Sequence, residues 1–305
     1  MQSCSLDGFH YGIFAMTTRR QFIQFSTTAC ALLGAPAIVR AARPVIRIGL
    51  APQQATAADT KRVWEPIYKW VCDQVGADLH LTVANDWAGV STALANQQID
   101  VAQLGPWGYV LARARGEARA INMMMIEGKP YYKAIIVARP GLDIKRFPED
   151  AKGLSMQMLD VGSTTGWMVP THFLKLQKKL DPKTYFGRYA EGASAAAAQM
   201  AVASGQVDLA TGWDTHRNTM IRNGQLKPDA NKVVWESAAL PNEPVVVRRG
   251  LDDGLAKALQ GALTAFPADL AKTLIPWPYS GFTNTSHDAY VELERMGRDL
   301  GVLKA

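Results

Sequence analysis

From Val45 onward, short apolar runs alternate with stretches of helical periodicity, and this alternation constrains the fold more than any other feature of the chain. Val45–Leu50 (VIRIGL) predicts a first strand. A helix capped by Asp59 or Thr60 runs to about Val75, with Val63, Ile67, Trp70 and Val71 at helical spacing. Leu79–Ala84, Val101–Leu104, Ala120–Ile126 and Tyr132–Ala138 read as further strands, separated by helices at Val90–Asn96 and Trp107–Arg115. Strands alternating with helices predict an α/β domain with a largely parallel sheet.

Pro140-Gly141 breaks the pattern, and a second α/β series runs from Leu154 to about Trp235. Its helices are expected at Trp167–Lys179, Ser194–Ser204 and Asp214–Asn223, with strands at Val207–Ala210 and Lys232–Trp235. Pro241–Pro244 is a second break. A strand at Val245–Val247 follows, and the remainder reads as mostly helical, including Asp252–Phe266 and His287–Leu300. Two breaks between two series predict a second lobe inserted into the first. Residues 42–139 and 245–305 form lobe 1 and residues 140–244 lobe 2, with a ligand cleft between them. One large doubly wound sheet is the plain alternative.

The N-terminus reads as an export signal. Thr17–Gln24 (TTRRQFIQ) carries paired arginines, a moderately apolar stretch extends to about Val39, and Val39-Arg40-Ala41 offers a small-residue cleavage site before Ala42. Met16 is an alternative start. A short membrane anchor and a lipoprotein on Cys30 are the competing readings. Pro36 and the modest hydrophobicity weigh against the first, and the absence of a leucine before Cys30 against the second. Removing residues 1–41 takes away Arg19, Arg20, Arg40 and Asp7 and lowers the net charge from +6 to about +4. No Lys/Arg run is long enough to suggest nucleic acid. Cys72 alone remains of three cysteines, so neither an internal disulfide nor a cysteine metal site is available.

The chemistry concentrates in Asp160-Val161-Gly162-Ser163-Thr164-Thr165-Gly166, directly before a helix. Glycines permit close backbone approach, and three consecutive hydroxyls add donors to the unpaired amides and positive dipole end of a helix N-terminus. That combination is an anion site made of neutral groups. Helix capping by Ser or Thr is the ordinary reading, but three hydroxyls exceed what one cap needs.

The stretch DVGSTTGWMVP resembles the Asp-Pro-x-Ser-Thr-Ser-Gly-[aromatic or Leu]-x-x-Pro signature of PhnD-like phosphate, phosphite and phosphonate substrate-binding proteins of ABC importers. Asp86-Trp87-Ala88-Gly89-Val90, Asp100–Pro106, Ala201–Thr211 and Leu240–Pro244 resemble further family segments in the same order. The resemblance implies a type II periplasmic-binding fold, in which two α/β lobes joined by two crossover strands close on a ligand. It implies that Ser163, Thr164 and Thr165 grip the phosphonate oxygens. A tyrosine after a Pro-Gly segment also contacts the phosphonate in the family. Lys129-Pro130-Tyr131-Tyr132 stands there, making Tyr131 the first candidate and Tyr132 the second. The two carboxylates that hold the ammonium of 2-aminoethylphosphonate correspond to Asp214 and Glu243. Their ordinary readings are a helix cap and a loop charge.

Two departures matter. The family histidine of Gly-His-Glu is replaced within Gly192-Ala193-Ser194-Ala195. Trp87 stands for a tyrosine and Trp213 for a small polar residue, so both indoles are candidates to wall the amine end by cation–π contact.

The expected protein is a monomeric periplasmic solute-binding protein, exported by the twin-arginine route. It captures a phosphonate, specifically 2-aminoethylphosphonate or a related aminophosphonate, and delivers it to an ABC permease and its ATPase. No cofactor, metal or nucleic acid is expected. Phosphite, phosphate or a sulfonate is the runner-up ligand. An enzyme or ligand sensor on the same fold is the alternative from another class. Against an enzyme, Ser163, His172 and Asp214 lack a Gly-x-Ser-x-Gly elbow, and His80, His216 and His287 lack metal-ligand spacing. Trp107 and Tyr109 read as packing, and Trp277-Pro278-Tyr279 as structural.

Overall fold

A computed structural model describes residues 42–54 and 56–304; the expected export signal, with Arg19, Arg20 and Cys30, lies outside the described residues. The chain opens with β1 (Val45–Leu50), α1 (Ala57–Gln74), β2 (Asp78–Val83), α2 (Trp87–Ala95), β3 (Val101–Gln103), α3 (Pro106–Gly116) and β4 (Arg119–Ile126). It leaves this first body through β5 (Tyr131–Tyr132) and enters a second through β6 (Ala134–Ala138) and β7 (Ser155–Leu159). A continuous helix over 164–177, α4, follows, in which an α-turn lies between two π-turns. After it come β8 (Arg188–Ala193), α5 (Ala195–Ala203), β9 (Leu209–Trp213), α6 (Asp214–Arg222) and β10 (Lys232–Glu236). The chain returns through β11 (Leu240–Pro241) to β12 (Pro244–Val247), α7 (Asp253–Thr264), α8 (Ala268–Leu274), β13 (Tyr279–Asn284) and α9 (Val291–Asp299).

The strands form two main sheets, ordered β13-β4-β12-β3-β1-β2 and β10-β6-β9-β7-β8, while β5 and β11 pair with each other. These two short strands are the crossovers, bound antiparallel as one ribbon with Leu240 opposite Tyr132 and Pro241 opposite Tyr131. The architecture is therefore two α/β lobes joined by two crossover strands.

Periodicity explains the layers. On α1, Trp64, Ile67, Tyr68 and Val71 are buried at the spacing of one helical face. They pack with Ile46, Ile48 and Leu50 of β1 on one side of the first sheet. Trp107, Tyr109, Tyr290 and Leu293 fill the other side. In the second lobe, β6 is buried along its whole length. Its alternate side chains serve two layers, Ile136 and Ala138 in one and Ile135 and Val137 in the other.

Three expectations need correction. Tyr132–Ala138, read as one strand closing lobe 1, divides at Lys133: its first residues enter the crossover ribbon and the rest joins the second sheet. The first crossing thus precedes the Pro140-Gly141 break, because β6 finds its partners in β9 and β10. The first sheet is mixed rather than largely parallel: β12 and β13 return antiparallel against β3 and β4. β13 also interrupts a region read as mostly helical.

Conserving the sheet geometry falls to acids within the family-like segments. Asp100 accepts from the Arg47 backbone amide and guanidinium and from Arg248 Nε at 2.7–3.0 Å, clamping the ends of β1, β3 and β12. Although its burial opposes ionisation, these bonds lower its carboxyl to about 2. Asp208 accepts from the Ser155 amide and hydroxyl and from Arg139 Nε. Asp86 caps α2 through the Gly89 amide.

Candidate functional site

The Ser163 side chain accepts from the Gly166 amide at 3.1 Å and caps α4. The helix begins at Thr164, three residues before the expected start, because this cap ends the loop that Asp160 opens by accepting from the Gly162 amide. Thr164 and Thr165 occupy the first helical positions, whose amides have no intrahelical partner. Thr211 of β9 fixes the loop from below. Its hydroxyl donates to the Gly166 carbonyl at 2.6 Å and accepts from the Leu159 amide. A Cβ on Gly166 would lie 2.3 Å from the Leu159 side chain, so only glycine allows this packing.

The loop faces the first lobe at close range. Trp107, in the first turn of α3, donates its amide to Thr164 Oγ1 at 2.9 Å. A Cβ on Gly162 would stand 2.9 Å from the Ala88 nitrogen, at the start of α2. His172 lies 3.5 Å from Asp299 of α9, and the Arg222 guanidinium sits 4.4 Å from the Trp277 ring centroid. The lobes are closed on each other through these contacts.

Between them is a small inner pocket lined by Trp87, Gly105, Tyr132, Ser163, Thr164, Thr165, Trp213 and Glu243. It opens into a chamber of about 450 Å³ that shares Trp87, Trp213 and Glu243 and continues past Asp86, Asp160, His216 and Trp277. Three hydroxyls, two indoles, a phenol and a carboxyl, distant in sequence, thus converge on one cavity.

Glu243 follows the return crossover strand and is buried. Its Oε2 accepts from Gln103 Nε2 at 2.9 Å and from Gln53 Nε2 at 3.3 Å. Gln103 in turn accepts from the Tyr68 hydroxyl at 2.9 Å. Burial pushes the Glu243 carboxyl up to about 7, against the opposing pull of Gln103 and the Tyr279 phenol.

Two expected site residues stand elsewhere. Tyr131 is 47% exposed and does not line the cavity, whereas Tyr132 is buried and does. Neighbours on a strand point to opposite faces, and the pairing of β5 with β11 turns Tyr132 inward. Asp214 begins α6, where its Oδ1 accepts from the Thr215 amide at 2.8 Å and the Lys133 amide at 3.1 Å. It ties the helix to the crossover and lines neither part of the cavity. Burial raises its carboxyl, partly offset by those amides.

Other polar groups were missed in the sequence. Gln103 is the one polar residue in an apolar run, and that was its available signal; Gln53 carried none. Tyr279, read as structural, lines the chamber. His216, given no role, also lines it, with its ring 4.7 Å from that of Trp213 and its imidazole pushed down to about 4 by burial. Ser163, His172 and Asp214 do not form a triad: Ser163 caps α4, His172 faces Asp299, and Asp214 holds backbone amides. Among the described residues no three His, Cys, Asp or Glu side chains group to hold a metal ion, and no helix is long and apolar enough to cross a membrane.

Residues 48–290 match the family model for the phosphonate periplasmic substrate-binding protein of ABC transporters. The chain belongs to this family. It is 30% identical over 191 residues to the phosphate-import protein PhnD of Mycolicibacterium smegmatis, an alignment covering 59% of each chain. It is 24% identical over 198 residues to the phosphonates-binding periplasmic protein of Escherichia coli, covering 63% of this chain and 58% of that one. The match thus spans less than two thirds of these curated relatives. The crystal structure of a binding-protein component of an ABC phosphonate transporter from Pseudomonas aeruginosa superposes with a TM-score of 0.75 at 26% identity. That superposition covers 83% of this chain and 85% of the other.

Proposed function

We propose that this member of the phosphonate-binding family is a periplasmic solute-binding protein. It captures an aminophosphonate of the 2-aminoethylphosphonate class and presents it, lobes closed, to an ABC permease and its ATPase. The observation that carries this reading is the inner pocket, where the hydroxyl loop and the buried carboxyl of Glu243 face one small volume beside the crossover ribbon. The Ser163, Thr164 and Thr165 hydroxyls, the free amides of α4 and the Tyr132 phenol replace the hydration shell of the anion. Glu243 is the one acid lining the inner pocket, so it, rather than Asp214, balances the ammonium, and Trp87 and Trp213 wall it. Capture is a hinge closure about β5 and β11. Export by the twin-arginine route belongs to the same reading and predicts that Arg19→Lys with Arg20→Lys abolishes secretion of the full-length chain.

Calorimetric titration with 2-aminoethylphosphonate, methylphosphonate, phosphite, phosphate and taurine tests the ligand. Phosphonates should bind and taurine should not; binding of taurine alone contradicts the reading.

One observation favours a second reading. A carboxyl with its midpoint near 7 is partly protonated at neutral pH, and a protonated Glu243 donates to an inorganic anion such as phosphate. The two readings differ in sign. An ammonium ligand prefers ionised Glu243, so from pH 6 to 8 its affinity rises relative to Glu243→Gln. A phosphate held by protonated Glu243 loses affinity relative to the variant over the same range.

A further inference from the structure

Within the inner pocket Glu243 is the one carboxyl in the lining, and the amide side chains of Gln53, Asn85, Asn223 and Gln225 line the chamber beyond it. A primary ammonium brings three N–H donors, and each one left unpaired in a closed cleft is costly. Asp214 spends Oδ1 on two backbone amides and does not line the cavity. Glu243 spends Oε2 on the Gln103 and Gln53 amides, and Tyr279 also approaches its carboxyl.

Aromatic surface and diffuse negative charge are plentiful. Trp87 and Trp213 line the inner pocket together with the hydroxyl loop, and both continue into the chamber. The acidic side chains lining the two volumes are Asp86, Asp160 and Glu243, with no Lys or Arg among the lining residues. The chamber's volume of about 450 Å³ leaves room beyond the anion for a substituent larger than a bare ammonium.

We propose that the cleft is built for an N-alkylated, positively charged amine on the phosphonate, a trimethylammonium-type group, in preference to a primary ammonium. Such a group has no N–H to satisfy. It is held by indole faces and by nearby carboxylates that need not contact it directly. Its methyl groups fill the chamber mouth between Trp87 and Trp213, where apolar surface is removed from water. The inference rests on the aminophosphonate reading and narrows it.

The test compares three ligands with one anionic end: methylphosphonate, 2-aminoethylphosphonate and its N,N,N-trimethyl derivative. Each is titrated into the chain from residue 42 by calorimetry at pH 7.5. The trimethyl compound should bind at least about 10-fold more tightly than the primary amine. Trp213→Leu should erase that preference and Trp213→Phe should keep most of it, with methylphosphonate affinity reporting on the intact anion end in each variant. Equal or tighter binding of the primary amine, alongside methylphosphonate binding, overturns this inference and leaves the aminophosphonate reading standing. If none of the three binds, the reading on which it rests falls as well. Should a Trp213 variant fail to fold, the wild-type ratio alone decides.

Discussion

The two ends of the cavity are built in opposite ways. The end proposed to take the anion is one short loop, Asp160 to Gly166, whose hydroxyls and helix-start amides are contiguous in sequence and held by local bonds. The end proposed to take the amine is assembled from Gln53, Trp87, Gln103, Trp213, Glu243 and Tyr279, which come from both lobes and the crossover. The local end uses neutral donors that cost little when empty. The assembled end stores a buried carboxyl whose ionisation is opposed by its surroundings. On the proposed function, the first end would set affinity for the phosphonate group and the second would set the preference among phosphonates, through charge state and shape.

Substitutions at each end should separate these roles, and the largest effect is expected at Glu243. At low pH both folded and unfolded chains hold its proton. As pH rises past the ordinary carboxyl range, the unfolded chain releases the proton while the folded chain retains it until about 7. Stability therefore falls through that window. Glu243→Gln removes the penalty and should stabilise the ligand-free protein by about 3 kcal/mol at pH 8, with little change at pH 4. Denaturant melts at the two pH values check this, and equal shifts at both would contradict the buried-carboxyl account.

Thr164→Val tests the anion end. It removes a hydroxyl from the pocket and the acceptor of the Trp107 amide. Affinity for methylphosphonate should fall on the order of 100-fold by calorimetry. Gly162→Ala probes closure without touching the ligand, because its Cβ would meet the Ala88 backbone. A loss of about 10-fold for every phosphonate alike is expected, together with a larger radius of gyration for the liganded protein in solution scattering. The smallest effect on binding belongs to Asp214→Ala. Affinity should stay within about 3-fold while stability drops by about 1 kcal/mol, since the Lys133 and Thr215 amides lose their acceptor.

The same contrast governs what the sequence made legible. Most strands and helices follow from apolar periodicity, and the Ser163–Thr165 loop was readable because its chemistry is consecutive. The choice between Tyr131 and Tyr132 was not, because it depends on how β5 pairs with β11. The fate of Asp214 depends on the Lys133 amide, 81 residues earlier in the chain. Gln103 makes its bond to Glu243 across 140 residues, and no local pattern announces such a partner. β13 escaped because a strand at a sheet edge needs β4 beside it more than it needs a strong pattern of its own.

On the proposed function, one cavity grips a phosphonate with the Thr164 loop and balances its amine with Glu243. Calorimetric titration of 2-aminoethylphosphonate into wild-type protein, Thr164→Val and Glu243→Gln at pH 8 tests it most directly. Wild-type protein should bind the ligand one-to-one at micromolar affinity or tighter. Thr164→Val should weaken binding on the order of 100-fold, and Glu243→Gln should weaken it in a way that disappears when methylphosphonate replaces the aminophosphonate. Absence of binding to the wild type, or equal weakening of both ligands in Glu243→Gln, would contradict this reading.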